Sequence, residues 1–156
     1  MMDRDSYIIV GFSTEKTDLF SSVIRWATRF RFSHVVLVSP DRQNIIEATT
    51  TYGVRDLPIS EWQRTESLTE LRRIPHPDPQ GVWDRAMTQR GKPYDMKYSY
   101  GWFFNRRNWQ DPNALACCEL IIEAAKFFAD GDYGPNNQRD LYLISYPDTP
   151  APGGPC

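Results

Sequence analysis

The sequence predicts one α+β domain in which an antiparallel sheet packs against a helix that is apolar over most of its surface. Three observations lead there. Residues 34–38 and 45–49 are rich in β-branched and apolar side chains and flank the turn-forming run Ser39-Pro40-Asp41-Arg42-Gln43-Asn44, which reads as strand, turn and strand. Residues 114–129 carry Leu115, Cys118, Leu120, Ile121, Ile122, Ala125 and Phe128 at helical spacing, with Pro112 and Asn113 just ahead of them. The chain's 156 residues suffice to remove roughly 68–70% of the unfolded surface from water, so a core forms without help from metals or disulfides.

The remaining elements follow in order. Tyr7-Ile8-Ile9-Val10-Gly11-Phe12 is short and β-branched and predicts a buried first strand ending near Ser13. Leu19, Phe20, Val23, Ile24, Ala27 and Phe30 recur at three and four, with Thr17 as N-cap, and predict an amphipathic helix. Gly53, Pro58 and the polar residues 61–66 read as loop, with a short helix at 59–62. Leu71 and Ile74, alternating with Arg72 and Arg73, predict a third long strand. Asp78 and Pro79 are an N-cap and first helical position for a helix over 80–90, and Gly91 supplies a left-handed stop. Residues 94–109 hold a third of all the aromatic side chains and predict a lid or groove wall. Residues 141–146 read as a closing strand, which makes 1–146 a single domain and leaves 147–156 as a mobile Pro/Gly-rich tail.

Composition excludes several classes of function. Eighteen Lys and Arg against twenty Asp and Glu give a net charge of -2, without the basic excess that phosphate backbones require, so nucleic acid is not expected as a partner. No stretch approaches eighteen uninterrupted apolar residues, so no membrane span is expected. The amino terminus has no secretory pattern, which points to a cytoplasmic chain or one carried by a phage particle. Three cysteines, two of them adjacent, make a poor disulfide framework, and the C-x-x-C spacing of structural zinc is absent. Neither a metal nor a cofactor is expected.

Only two histidines are present. His76 sits among prolines and reads as a surface residue. His34 opens a strand, and if Ser39 opposes Asn44, Glu47 lies diagonal to it on the same sheet face. A carboxylate at that place fixes the imidazole tautomer and favours the charged ring, so that the ring accepts a thiol proton. Cys117 falls in or near the first turn of its helix, where unpaired N–H groups and the positive dipole end ease ionisation of a thiol. Cys118 is rotated by about 100° and is sent to the core by the periodicity, leaving Cys117 on the flank as the candidate nucleophile. Free cysteines are more often small buried hydrophobes, and spacing alone leaves that reading open.

Taken together, Ser33-His34-Val35-Val36-Leu37-Val38, Ile45-Ile46-Glu47-Ala48, Gly91-Lys92-Pro93-Tyr94-Asp95 and Ala116-Cys117-Cys118-Glu119-Leu120-Ile121 resemble a known family. It is the circularly permuted branch of the NlpC-type papain-like cysteine peptidases, the YiiX-like group related to lecithin:retinol acyltransferase. The resemblance runs from about Tyr7 to Phe128 and implies a permuted papain-like fold, with Cys117 as nucleophile, His34 as general base and Glu47 as third polar residue. Tyr94 and Asp95 match a Tyr-Asp pair ahead of the cysteine helix and, with Trp102 of the aromatic segment, are the expected substrate-binding residues. Two features depart from the family pattern: Cys118 stands where serine is usual, and the Gly-Asp that commonly precedes the first strand is missing around Asp5-Ser6.

The expected function is a cysteine hydrolase that cleaves an amide, in a cell-wall peptide or a lipidated or acyl amide, or an ester, through a thioester. The alternatives are an acyltransferase using the same Cys-His-Glu site, and a catalytically idle binding or structural module, for example a component of a larger assembly.

Overall fold

The computed structural model of the chain describes residues 6–14, 31–96, 113–126 and 138–148. Its centre is a six-stranded sheet whose neighbouring strands all run antiparallel, in the order β4-β3-β2-β1-β5-β6. The strands are β1 (Tyr7–Thr14), β2 (His34–Val38), β3 (Asn44–Thr49), β4 (Gly53–Pro58), β5 (Leu68–Pro75) and β6 (Tyr146–Pro147). The helices are α1 (Ile59–Thr65), α2 (Pro79–Met87), α3 (Cys117–Ala125) and α4 (Gln138–Leu143). The fold is therefore mixed α+β with an antiparallel sheet, and α3 packs against β2 and β3. Among the described residues, no helix is long and apolar enough to cross a membrane.

Strand alternation divides the core into two layers. Val10, Phe12, Val35, Leu37, Ile46 and Ala48 point to the side covered by α2 and α3, where Val82, Ala86, Leu120 and Ile121 meet them. Ile9, Val36, Val38 and Ile45 point to the opposite side, where Trp62 of α1 covers them. Gly11 admits that indole: a Cβ there would stand 2.5 Å from the Trp62 Cη2 atom and 2.8 Å from Val36 Cγ2. The absence of a side chain at Gly11 thus lets α1 lie close on the sheet.

The β2–β3 hairpin has the register that the turn predicts, with Leu37 opposite Ile46 and Val38 opposite Ile45. The Asn44 N–H donates to the Ser39 hydroxyl at 2.9 Å and the Ser39 N–H to the Asn44 carbonyl at 2.9 Å, while Arg42 takes a left-handed φ of 60°. Asp78 caps α2 by accepting the Gly81 N–H at 2.9 Å, with Pro79 as the first helical residue.

Several elements differ from the sequence expectation. Residues 53–58, read as loop, form β4 along the whole of β3, because Gly53 (φ +67°) turns the chain and Pro58 closes the strand opposite Asn44. Residues 141–146, read as a strand, are divided: 141–143 are the end of α4 and Tyr146 begins β6, with Leu141 fully buried and Tyr142 packed edge-on to Phe12, while Leu143 and Ile144 are exposed. Strand alternation would have placed 141 and 143 on one face. The helix expected over 80–90 stops at Met87, and the chain after it turns so that the Gly91 N–H reaches the Val54 carbonyl of β4 at 2.9 Å. The last apolar helix starts only at Cys117, because Leu115 is drawn into a parallel bridge with Tyr94. It closes on Lys126 in the left-handed conformation. Pro147 and Asp148, expected in a mobile tail, are tied down: Pro147 pairs with Arg72, and Asp148 binds Arg42 at 2.8 Å as well as Arg73. The helix expected from Asp18 to Phe30 and most of the aromatic segment lie outside the described residues.

Because the clash at Gly11 is with a rigid ring, Gly11→Ala should destabilise the protein by about 1–3 kcal/mol. A urea denaturation midpoint indistinguishable from that of the parent would show that α1 is not held so closely.

Candidate active site

The hairpin register brings the first two predicted residues together. Continued from Leu37 and Ile46, it sets His34 opposite Thr49, so Glu47 lies diagonally across the same face. Glu47 Oε2 is 2.8 Å from His34 Nε2, and both side chains are buried. This contact uses Nε2 and leaves Nδ1 to serve the thiol of Cys117, which lies in hydrogen-bonding contact with the imidazole. The Val35 backbone N–H also points at the sulfur. Cys117 is the first residue of α3, so the helix presents the nucleophile at its N-terminal end, where it meets the start of β2.

Two residues that the sequence reading passed over complete the surroundings. Arg55, directly opposite Glu47 on β4, donates from Nε to Glu47 Oε1 at 2.8 Å, and its terminal nitrogen is 2.8 Å from the same oxygen. Glu119, one turn into α3, accepts the Ala116 N–H at 2.9 Å. Ala116 at the N-cap has no oxygen to offer in return, so the α3 N-terminus is capped from one side only.

The electrostatics form a chain of alternating sign. For His34, burial opposes the charged ring, but hydrogen bonds to Cys117 and Glu47 and their negative charges outweigh it and hold the imidazole well above its ordinary value. For Cys117, the neighbouring Cys118 thiol together with the His34 imidazole overcomes burial and holds the thiol well below its ordinary value. The two shifts describe a thiolate–imidazolium pair. Burial also opposes an ionised Glu47, yet His34 and Arg55 hold it below the usual carboxylate range. Glu119 moves the other way. Burial, with Asp95, Glu123 and Cys117 nearby, pushes it up to about 7 despite the Ala116 N–H.

The other expected residues are placed as follows. Cys118, sent to the core by periodicity, is as buried as Cys117, and its thiol contacts the nucleophile candidate. Cys117, expected on the flank of its helix, is itself buried at 2% exposure, because strand β2 closes over the first turn of α3. Asp95 is buried and joins the approach to α3 through its N–H to the Leu115 carbonyl at 3.2 Å; Tyr94 is half-buried against the core. Trp102 lies outside the described residues. His76, expected at the surface, is half-buried and structural. It accepts the Asp78 N–H at Nδ1 (3.0 Å) and donates from Nε2 to the Ala125 carbonyl at the end of α3 (3.1 Å).

No protein-family model matches the chain, and no curated protein matches it.

Glu119 gives this site a measurable pH signature. Its folded value near 7 lies above its ordinary 4.5, so the stability it contributes is complete below about 4.5 and declines as the pH rises to about 7. Glu119→Gln keeps an acceptor for the Ala116 N–H without the charge. Its unfolding free energy in urea should match the parent's at pH 4 and exceed it at pH 8, by about 1–2 kcal/mol after allowance for solvent screening. A gain of the same size at both pH values would remove ionisation as its cause.

Proposed function

We propose that the protein is a cysteine hydrolase that opens an amide or ester bond through a thioester, on a papain-like fold of permuted order. The observation that supports this most directly is the meeting of three buried groups: a thiol at the head of α3, an imidazole at the start of β2, and a carboxylate 2.8 Å from that imidazole's far nitrogen. Histidine, carboxylate and late cysteine also follow one another along the chain as in the permuted NlpC-type peptidases it resembles.

In the proposed reaction the Cys117 thiolate attacks the carbonyl carbon, and the electron pair moves onto the carbonyl oxygen. The Cys117 backbone N–H, at the positive N-terminal end of α3, is suited to stabilise that oxyanion. The His34 imidazolium gives its proton to the leaving amine or alkoxide as the carbon–nitrogen or carbon–oxygen bond breaks, leaving a thioester. Neutral His34 then takes a proton from water, whose oxygen attacks the thioester and expels the thiolate as a carboxylic acid forms. The imidazolium–thiolate pair is thereby restored. Glu47 holds the ring through both halves. With Cys117 only 2% exposed, attack requires the site to open. The substrate class that suits this chemistry is an acyl amide or ester, of which a cell-wall peptide or a lipidated amide is an example.

The pH dependence of alkylation tests the reading. Carbamidomethylation of Cys117 by iodoacetamide, followed by mass spectrometry of its peptide, should show an ionisation well below the free-thiol value of ~8.5. His34→Ala should move the midpoint up toward that value, and Cys117→Ala should abolish capture of a thiol-directed acyl probe while Cys118→Ala retains it. A free-thiol profile in the parent, unmoved by His34→Ala, would leave an idle scaffold as the better description.

A further inference from the structure

Glu47 has two oxygens, and His34 uses one of them. The other is held from β4, where the register sets Arg55 directly opposite. Both the Nε and a terminal nitrogen of Arg55 lie 2.8 Å from Glu47 Oε1, while Glu47 Oε2 is 2.8 Å from His34 Nε2. The guanidinium is itself fixed, stacked 3.9 Å from the centre of the Tyr52 ring, with its side chain 37% exposed. Glu47, by contrast, is 3% exposed. A carboxylate so deeply buried holds its charge only where a cation faces it; without one, burial favours the neutral acid.

We propose that Arg55 is a positioning residue of this site: through Glu47 it maintains the anion that orients the His34 imidazole and balances its charge toward Cys117. The proposal rests on the hydrolase reading above and adds a fourth member to it. The remaining titratable or charged groups around these residues are few. Glu66, after α1, and Tyr52 line a cavity of about 70 Å³ against Glu47 and Arg55. Beyond the imidazole stand Cys117, Cys118 and Glu119 on α3, with Asp95 beside Glu119. Among these Arg55 is the one cation in contact with Glu47 besides His34 itself. If it is lost, a neutral Glu47 no longer supports an imidazolium, and the thiolate loses its counter-ion.

The test is the rate of Cys117 carbamidomethylation by iodoacetamide against pH, with folding checked by near-ultraviolet circular dichroism. Arg55→Gln should raise the midpoint of the rate profile by about one unit, which slows the reaction about tenfold at pH values below the parent's midpoint. Arg55→Lys, which keeps a charge but loses the paired nitrogens, should slow it about threefold. In a Glu47→Gln background, where there is no carboxylate left to hold, both substitutions should change the rate less than about twofold. If Arg55→Gln does not fold, the lysine variant in the two backgrounds answers the same question. A profile like the parent's for a folded Arg55→Gln protein overturns the proposal. An undiminished effect in the Glu47→Gln background overturns it too, since Arg55 would then act by another route. These failures are separate from that of the hydrolase reading, which falls when His34→Ala leaves the profile unmoved.

Discussion

The contact between His34 and Glu47 depends on one structural quantity, the register of the β2–β3 hairpin. Side chains alternate along a strand, so a slip of one residue would send Glu47 to the face covered by α2 and α3 and leave the imidazole without its carboxylate. The turn holds the register with several bonds at once. Ser39 and Asn44 exchange backbone and side-chain hydrogen bonds, Asp41 accepts the Gln43 N–H at 3.0 Å, and the Arg42 N–H reaches the Ser39 carbonyl at 2.8 Å. Arg42, at the left-handed position of the turn, is fastened in addition to Asp148, 106 positions along the chain. The hairpin turn that sets the site is thus anchored to the far edge of the sheet, where Asp148 also binds Arg73 of β5.

A buried array of charged groups persists only when each charge has an opposite neighbour, because desolvation of an isolated ion exceeds what the fold recovers elsewhere. Arg55, Glu47, His34 and Cys117 satisfy that condition in sequence, with positive and negative groups alternating from the partly exposed guanidinium to the sulfur. Glu119 would break the alternation if it were fully ionised, since it stands near Cys117 and Asp95 on the same end of α3. Its value of about 7 means that near neutrality a large fraction of it carries a proton. The helix therefore keeps its cap on the Ala116 N–H with little added repulsion toward the thiolate.

Much of the sheet and the approximate place of α3 were legible because they rest on local patterns: β-branched runs for β1 and β2, turn residues between β2 and β3, and an Asp-Pro pair at the head of α2. The diagonal relation of His34 to Glu47 followed from counting across the turn. Arg55 was not legible, because Gly53 and Pro58 at the two ends of β4 carry the same punctuation as a loop. Only the tertiary pairing with β3 distinguishes the two, placing Gly53 at the turn and Pro58 at the strand's last position. Cys118 lies in the core as its periodicity predicts, but the burial of Cys117 was hidden for another reason. A helical wheel assumes one buried side, whereas the first turn of α3 is surrounded, and residues 117 to 122 are all buried. Burial there cannot separate one cysteine from its neighbour; contact with the imidazole does.

The far end of α3 explains how a helix of nine residues holds a sulfur in place. Its last carbonyls would otherwise be unpaired, and two side chains from the β5–α2 region accept the task of satisfying them. His76 donates to the Ala125 carbonyl at 3.1 Å, and Arg85 of α2 donates to the Ala124 carbonyl at 2.7 Å. The Nδ1 of His76 accepts the Asp78 N–H, which fixes the ring in the tautomer protonated at Nε2, and Asp78 in turn caps α2. A cation such as Arg85 is also favoured at the negative end of the helix dipole. At the near end, the strand-like pairing of Leu115 with Tyr94 stops the helix from starting earlier, since the Leu115 N–H is committed to the Pro93 carbonyl at 3.0 Å. Tied at both ends, α3 has little freedom to slide along the sheet. The two histidines therefore serve opposite ends of one helix: His76 secures its C-terminus by a neutral hydrogen bond, and His34 meets its N-terminus as the partner of the thiol.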